Sequence, residues 1–282
     1  MKRVIRPKKP FYAVLGTMIL VTFFILSPNS RNGNSKEQLF IHASSLPLKQ
    51  MSEVEQLKKE INSMRQQTFL SITLDAHEHY IQKPVYLTFD DGPTKDTPYI
   101  LDILKQFNVK ATFFMLDGQM KRFPDITKRV VEEGHAVGCH GVSHDIRKIY
   151  AHDRSALQEM QQCSETLKAF TNVDSSLIRV PFGSVPYLKE PHRSQLKQAR
   201  FQLWDWNVDS EDWNSKTPAQ VIHNVLPALN RLEREGRTPI ILFHDKEVTV
   251  HSLNEILTFT QQSGYQPILI SEAMRPMEFR VR

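Results

Sequence analysis

Only two cysteines, Cys139 and Cys163, occur in 282 residues. So few exclude a disulfide framework standing in for a hydrophobic core. They leave one bridge or two small buried apolar side chains, and the second is the preferred reading. A basic surplus is also missing once the amino terminus is set aside. The formal charge is +5 and the pI near 9.1, but Lys2, Arg3, Arg6, Lys8 and Lys9 are five of the 36 basic residues, and those remaining equal the 31 acidic ones. No nucleic-acid partner is therefore expected. Long apolar runs are absent too, save Phe11 to Leu26, sixteen uncharged residues behind that basic cluster. A basic flank before an apolar run reads as membrane targeting. The run falls slightly short of the roughly 20 residues of a span, and no small-x-small cleavage site follows it. An uncleaved single-pass anchor is expected, with signal cleavage and secretion as the alternative. The positive-inside rule places Lys2 to Lys9 in the cytoplasm and the rest outside.

What is present divides the chain into residues 1–27, basic segment and anchor; 28–83, linker and stalk; and 84–282, the domain that carries chemistry. After a polar spacer, Val54, Leu57, Ile61 and Met64 recur at helical spacing and predict a short amphipathic stalk helix, too brief for a firm coiled coil. From Pro84 apolar strands are predicted near 85–90, 111–116, 135–140, 177–181, 201–208, 239–245 and 266–271. Helices are predicted between them, among others Thr97 to Phe107, Asp125 to Glu133, Asp153 to Phe170 and Pro218 to Glu235, with Val130, Val131, Leu226, Leu229 and Leu232 facing inward. Such alternation implies an α/β fold with a parallel sheet, open or closed, whose ligand site lies at the carboxyl ends of the strands.

Charged groups gather at those ends. Val85 to Phe89 runs into Asp90-Asp91-Gly92-Pro93, and His140 and His144 follow as a His-x-x-x-His pair. Arg179-Val180-Pro181-Phe182-Gly183, Asp209-Ser210-Glu211-Asp212-Trp213 and Leu242-Phe243-His244-Asp245 close three more segments. Asp-Asp-Gly-Pro alone is ordinary turn chemistry, and a lone His pair is more often a surface or capping feature. Together they suit a catalytic metal, since one carboxylate and two neutral imidazoles leave a position open for water. One aspartate then faces the metal while its neighbour acts as base, and strand alternation does not say which. His244 is placed to protonate a leaving amine, with Asp212 as its carboxylate partner and Asp245 as local rival. Arg179 can clamp the base. A backbone N–H at Phe182 or Gly183 can meet an oxyanion. Trp213 and Leu242, with Trp204 or Trp206, can wall an acyl pocket.

These five motifs, in this order over residues 84 to 275, resemble the polysaccharide deacetylases, the nodulation-type enzymes of carbohydrate esterase family 4. The resemblance implies a distorted (β/α)7-type barrel, a divalent metal (zinc, with cobalt as alternative) and hydrolysis of N-acetyl groups on amino-sugar polymers. It implies Asp90 as base, Asp91, His140 and His144 as metal ligands, and His244 as acid tuned by Asp212. It further implies Arg179 orienting Asp90, the Phe182 amide serving the oxyanion, and Trp213, Leu242 and Pro181 lining the acetate pocket. Two positions depart from the family pattern. Gly141 stands where Ser or Thr usually braces the loop, which implies a looser loop and weaker metal binding. Phe182 replaces the commoner Tyr and loses its hydroxyl.

The expected activity is removal of N-acetyl groups from a bacterial envelope glycan, peptidoglycan first, because a tethered extracytoplasmic enzyme meets it first. No protein partner is inferred. The alternatives are an esterase for O-acetyl groups such as those of xylan, a hydrolase of a wall peptide bond, and a glycan-binding protein that has lost turnover.

Overall fold

The computed structural model describes residues 56, 58–64 and 83–280. They fall in two compact units, Met1–Asp75 and Ala76–Arg282. In the first, residues 58–64 are helical and exposed, except for half-buried Ile61. This is the carboxyl half of the expected stalk helix; Val54, Leu57, the spacer and the apolar run Phe11 to Leu26 lie outside the described residues. Among the described residues no helix is long and apolar enough to cross a membrane.

The second unit alternates strand and helix: β1 (Pro84–Asp90), α1 (Thr97–Gln106), β2 (Thr112–Met115), α2 (Asp117–Arg122), α3 (Pro124–Glu132), β3 (Ala136–Cys139), α4 (Ile146–Ile149), α5 (Ser155–Thr171), β4 (Leu177–Ile178), α6 (His192–Gln198), β5 (Gln202–Leu203), β6 (Val208–Asp209), α7 (Pro218–Arg234), β7 (Ile240–His244), α8 (Glu247–Gln262) and β8 (Gln266–Pro267). Every ladder is parallel, in the order β5-β4-β3-β2-β1-β7-β6, with β8 paired to the start of β1. No ladder joins β5 to β6 among the described residues. The sheet curls into an open barrel, α/β as expected, with the carboxyl ends of β1 and β7 side by side at its mouth and β8 at the opposite end of β1.

Two expected strands are corrected. The segment 201–208 is not one strand but two, β5 at one edge of the sheet and β6 at the other. Between them the chain crosses the opening, where Asp205 N donates to Met277 O (2.8 Å) and the Asp205 carboxylate accepts Ser184 N (2.9 Å) and Phe279 N (2.7 Å). The carboxyl-terminal residues thus take the hydrogen bonds that a neighbouring strand would have taken. The strand expected at 266–271 shrinks to Gln266–Pro267, after which single bonds hold the chain, Ile268 N to Val85 O (3.0 Å) and Ile270 N to Thr112 Oγ1 (3.2 Å).

Helix starts follow local chemistry. Proline occupies the first turn of α1, α3 and α7, where its missing N–H costs nothing, and Gln220 reaches back to the amides of Lys216 (2.7 Å) and Thr217 (3.3 Å). The buried stripe of α7 is Val221, Val225, Leu229 and Leu232. Leu226 and, in α3, Val131, also expected inward, are half-buried and pack against the core from the edge of their stripes.

Two cores result. The outer one packs the helices on the convex face of the sheet, with Phe89 stacked against Phe113 (5.0 Å) and Phe243 (5.3 Å). The inner one fills the barrel with Phe114, Leu177, Trp204, Ile240 and Ile270. Both cysteines are buried and free, in keeping with the preferred reading, and Cys163 Sγ donates to Met115 O (3.3 Å).

Candidate active site

Parallel pairing sets Asp90, the last residue of β1, directly beside His244, the last of β7. Their side chains face the barrel interior, as do Thr88 and Leu242 one pleat below. Asp90 is 2% exposed, and Arg179, wholly buried, holds it: Nη1 donates to Asp90 Oδ1 (3.0 Å) and to Thr88 Oγ1 (2.7 Å). The guanidinium also donates to Trp204 O (2.9 Å) and Asp205 O (3.1 Å) and lies 4.4 Å from the centre of the Phe114 ring. Burial raises the Asp90 pKa, while the charges of Arg179 and His244 pull it back. Asp90 is thus held in place by an arginine with no contact to solvent.

Past Asp90 the chain turns, with Asp91 at φ +69. This rotates Asp91 toward the histidine loop, while Asp90 stays against Arg179. Asp91 Oδ1 lies 3.2 Å from His144 Nε2 and 3.5 Å from His140 Nε2. The ligand atoms of Asp91, His140 and His144 all lie within 4.8 Å of one another. His140 Nδ1 meets the carbonyl of Arg179 at 2.7 Å and must donate to it, since a carbonyl only accepts; Nε2 is left with its lone pair toward Asp91. Burial lowers the His140 pKa to about 3, so its imidazole is neutral. Asp91 Oδ1 is a buried oxygen without a hydrogen-bond donor. An oxygen and two ring nitrogens converging with no donor to separate them fit a divalent cation of the zinc type.

On the other side stands His244. Its Nδ1 and Asp212 Oδ1 are 2.6 Å apart, and its backbone N donates to Asp212 Oδ2 (2.7 Å), which also accepts Thr249 Oγ1 (2.5 Å). Burial pulls the His244 pKa down, but the Asp212 hydrogen bond and charge, aided by Asp90 and Asp91, raise it to about 9. The charged imidazole directs Nε2 into the site, 3.9 Å from Asp91 Oδ2. Asp245, the local rival, turns instead to the Thr97 hydroxyl.

The remaining predicted residues divide. Pro181 is buried, and Phe182 at φ +66 is exposed with its ring 4.6 Å from that of His144. The ring contact survives without a phenol hydroxyl. Gly183 is at φ +78, and a Cβ there would stand 2.8 Å from Phe279 and 3.0 Å from Trp206. Leu242 is buried and Trp213 is 56% exposed. Trp204 is corrected: it belongs to the inner core. Trp206 packs on Phe279 (5.0 Å) and supports the Gly183 turn from beneath.

Sequence reasoning missed Thr88, Glu159, Asp205, Thr249 and Phe279. Thr88 bridges Arg179 to Ile241 O (2.6 Å). Glu159 on α5 binds the His140–His144 loop, and Asp205 holds Ser184 and Phe279 together. Only Thr88, two residues before Asp90 on the same face, carried a signal in its position.

Comparison with known proteins agrees with this geometry. The polysaccharide deacetylase family matches residues 77–204. YheN of Bacillus subtilis (strain 168), a polysaccharide deacetylase by name, is 39% identical over 206 residues, 72% of this chain and 73% of YheN. A peptidoglycan-N-acetylglucosamine deacetylase of Bacillus cereus is 36% identical over 192 residues, 66% of this chain and 68% of that one. The crystal structure of the polysaccharide deacetylase Bc1974 from Bacillus cereus superposes with a TM-score of 0.65 at 35% identity, covering 70% of this chain and 97% of that one. Five ordered motifs at one barrel mouth and relatives of this similarity lead to one conclusion: the chain belongs to the polysaccharide deacetylase family.

Proposed function

We propose that this glycan deacetylase is a metal-dependent hydrolase that removes N-acetyl groups from an extracytoplasmic amino-sugar polymer, peptidoglycan being the favoured substrate. The observation that carries the reading is the Asp91–His140–His144 cluster flanked by two ionisable groups outside it, Asp90 against Arg179 and His244 against Asp212. The similarity to a peptidoglycan-N-acetylglucosamine deacetylase supports the choice of polymer. A zinc or cobalt ion held by Asp91, His140 and His144 would polarise the acetamide carbonyl and make a neighbouring water more acidic.

This chain's own groups do the rest. Asp90 Oδ2 is 3.8 Å from His140 Nε2, beside the cation position but not one of the three ligands, and it takes the proton of the attacking water. Arg179 keeps that carboxylate aimed. The Phe182 amide donates to the oxyanion that develops on the carbonyl oxygen. His244 Nε2 protonates the departing amine, and Asp212 holds the tautomer and compensates the charge. Leu242 below His244, Pro181 and exposed Trp213 border the acetyl and sugar positions. The basic flank and apolar run Phe11 to Leu26 support attachment to the membrane with the catalytic unit outside, or secretion after cleavage.

Acetate released from purified peptidoglycan, N-acetylglucosamine oligomers and acetylxylan, with and without chelator, tests this. Release from the first two, abolished by chelator and restored by zinc, is expected. Activity confined to acetylxylan would overturn the amide assignment, and chelator-resistant release would overturn the metal.

A further inference from the structure

The loop from His140 to His144 delivers two of the three proposed ligands and has no side chain at position 141 to support it. It is nevertheless tied on both sides. His140 N donates to Met115 O (2.8 Å) and Asp117 N to Gly141 O (3.0 Å), fixing the side next to β2. From α5, Glu159 takes the opposite side: Oε2 accepts the amides of Val142 (2.9 Å) and Ser143 (3.0 Å), and Oε1 accepts the Ser143 hydroxyl (2.5 Å). One carboxylate thus satisfies three donors of the segment that ends in His144. Charge-assisted bonds of this kind are the stronger ones, and two consecutive amides aimed at one oxygen leave the loop little freedom. Freedom there would matter, since His144 at φ +45 holds a conformation that a non-glycine residue in a free loop would seldom visit.

Gly141 and Glu159 are also sterically linked. A Cβ on residue 141 would lie 3.1 Å from Glu159 Oε2 and 3.5 Å from Met160 Cε. The carboxylate occupies the space that a side chain at 141 would claim.

We infer that Glu159 is a positioning residue that holds the His140–His144 loop in ligand-ready geometry, and that glycine at 141 is what admits its carboxylate. The inference rests on reading Asp91, His140 and His144 as a metal site. It reverses the expectation of a loose loop: the support has moved from the loop to a helix. It also makes a prediction against the family pattern, that restoring a hydroxyl residue at 141 weakens the site.

The test is metal affinity, measured by competing zinc from the purified full chain with a chromogenic chelator, together with the visible absorption of the cobalt-loaded protein. Supporting partners of metal ligands are typically worth about 10–100-fold in affinity. Glu159→Ala should lose that much and alter the cobalt spectrum. Glu159→Gln, which still offers one oxygen to both amides, should recover most of the loss. Gly141→Ser should also weaken binding, because its Cβ meets Glu159 and its φ is strained. Wild-type protein that binds no metal would sink the underlying site. A wild type that binds, with Glu159→Ala equally tight, would overturn the positioning role alone. Should Glu159→Ala fail to fold, Gly141→Ser decides: affinity equal to or above wild type would refute the pairing.

Discussion

On β1 and β7 neighbouring residues serve two different kinds of chemistry. Leu87, Phe89, Ile241 and Phe243 point outward into the helix layer, where they join one apolar cluster. Thr88, Asp90, Leu242 and His244 point inward, where Arg179 alone makes hydrogen bonds to Thr88, Asp90, Trp204 and Asp205. The outer face is held by non-directional burial and tolerates changes that conserve volume. The inner face is held by directional bonds between buried groups, so removing one partner leaves others unsatisfied. Non-directional packing and directional bonding thus alternate with a period of two along the same strand.

The strongest way to break that contrast is Asp90→Asn. Acetate release should fall by about three orders of magnitude, on the order of 4 kcal/mol of barrier, while metal content and circular dichroism stay unchanged. Wild-type turnover in this variant would remove the assigned base. Next is Arg179→Met, which leaves Asp90 buried without its counter-charge and should cost roughly 3–5 kcal/mol in urea unfolding. Phe89→Leu on the outer face should cost only about 1–1.5 kcal/mol; equal costs would erase the distinction.

Ionisable groups also enter the outer layer, His135 among them. His135, edge-on to Phe113 at 5.4 Å, accepts the Ala111 amide (3.1 Å), and burial, with help from Lys110, lowers its pKa to about 4 from 6.5. As pH drops below 6.5 the unfolded chain takes up this proton first, so stability falls between pH 6.5 and about 4. Thermal unfolding of metal-free protein across that range should show the decline, and His135→Asn, whose Oδ1 can accept the same amide, should flatten it. An unchanged slope would place the acid sensitivity elsewhere. The smallest effect is expected at the exposed rim: Trp213→Ala should raise KM for glycan by about 2–10-fold with no change in unfolding midpoint, the range of one stacking contact. A shift in midpoint would mean that Trp213 is structural.

Much of the site was legible because its residues come in short local motifs. Asp90-Asp91 and His140–His144 need only a strand end and one loop to assemble, and the apolar runs before them mark those strands. Less legible was the stretch Phe201 to Val208, whose aromatic run reads as a single buried strand although Asp205 is drawn off to Ser184 and Phe279. Helix α8 has a weak apolar stripe because Thr249, Ser252 and Thr260 share its buried face. Trp204 resembled a pocket wall by type and by position, and only the filling of the barrel places it in the core.

By itself the sequence determined which charged residues gather at strand ends and that parallel strands alternate with helices, because hydrophobic periodicity and turn chemistry are local. Tertiary structure alone decided how Asp91 turns toward the histidines, that Asp245 pairs with Thr97, that the barrel stays open with its own carboxyl-terminal residues across the gap, and that Glu159 bonds a loop with no side chain at position 141. Each of these depends on directional bonds between residues far apart in the chain, and such bonds leave no periodic trace in either partner's neighbourhood.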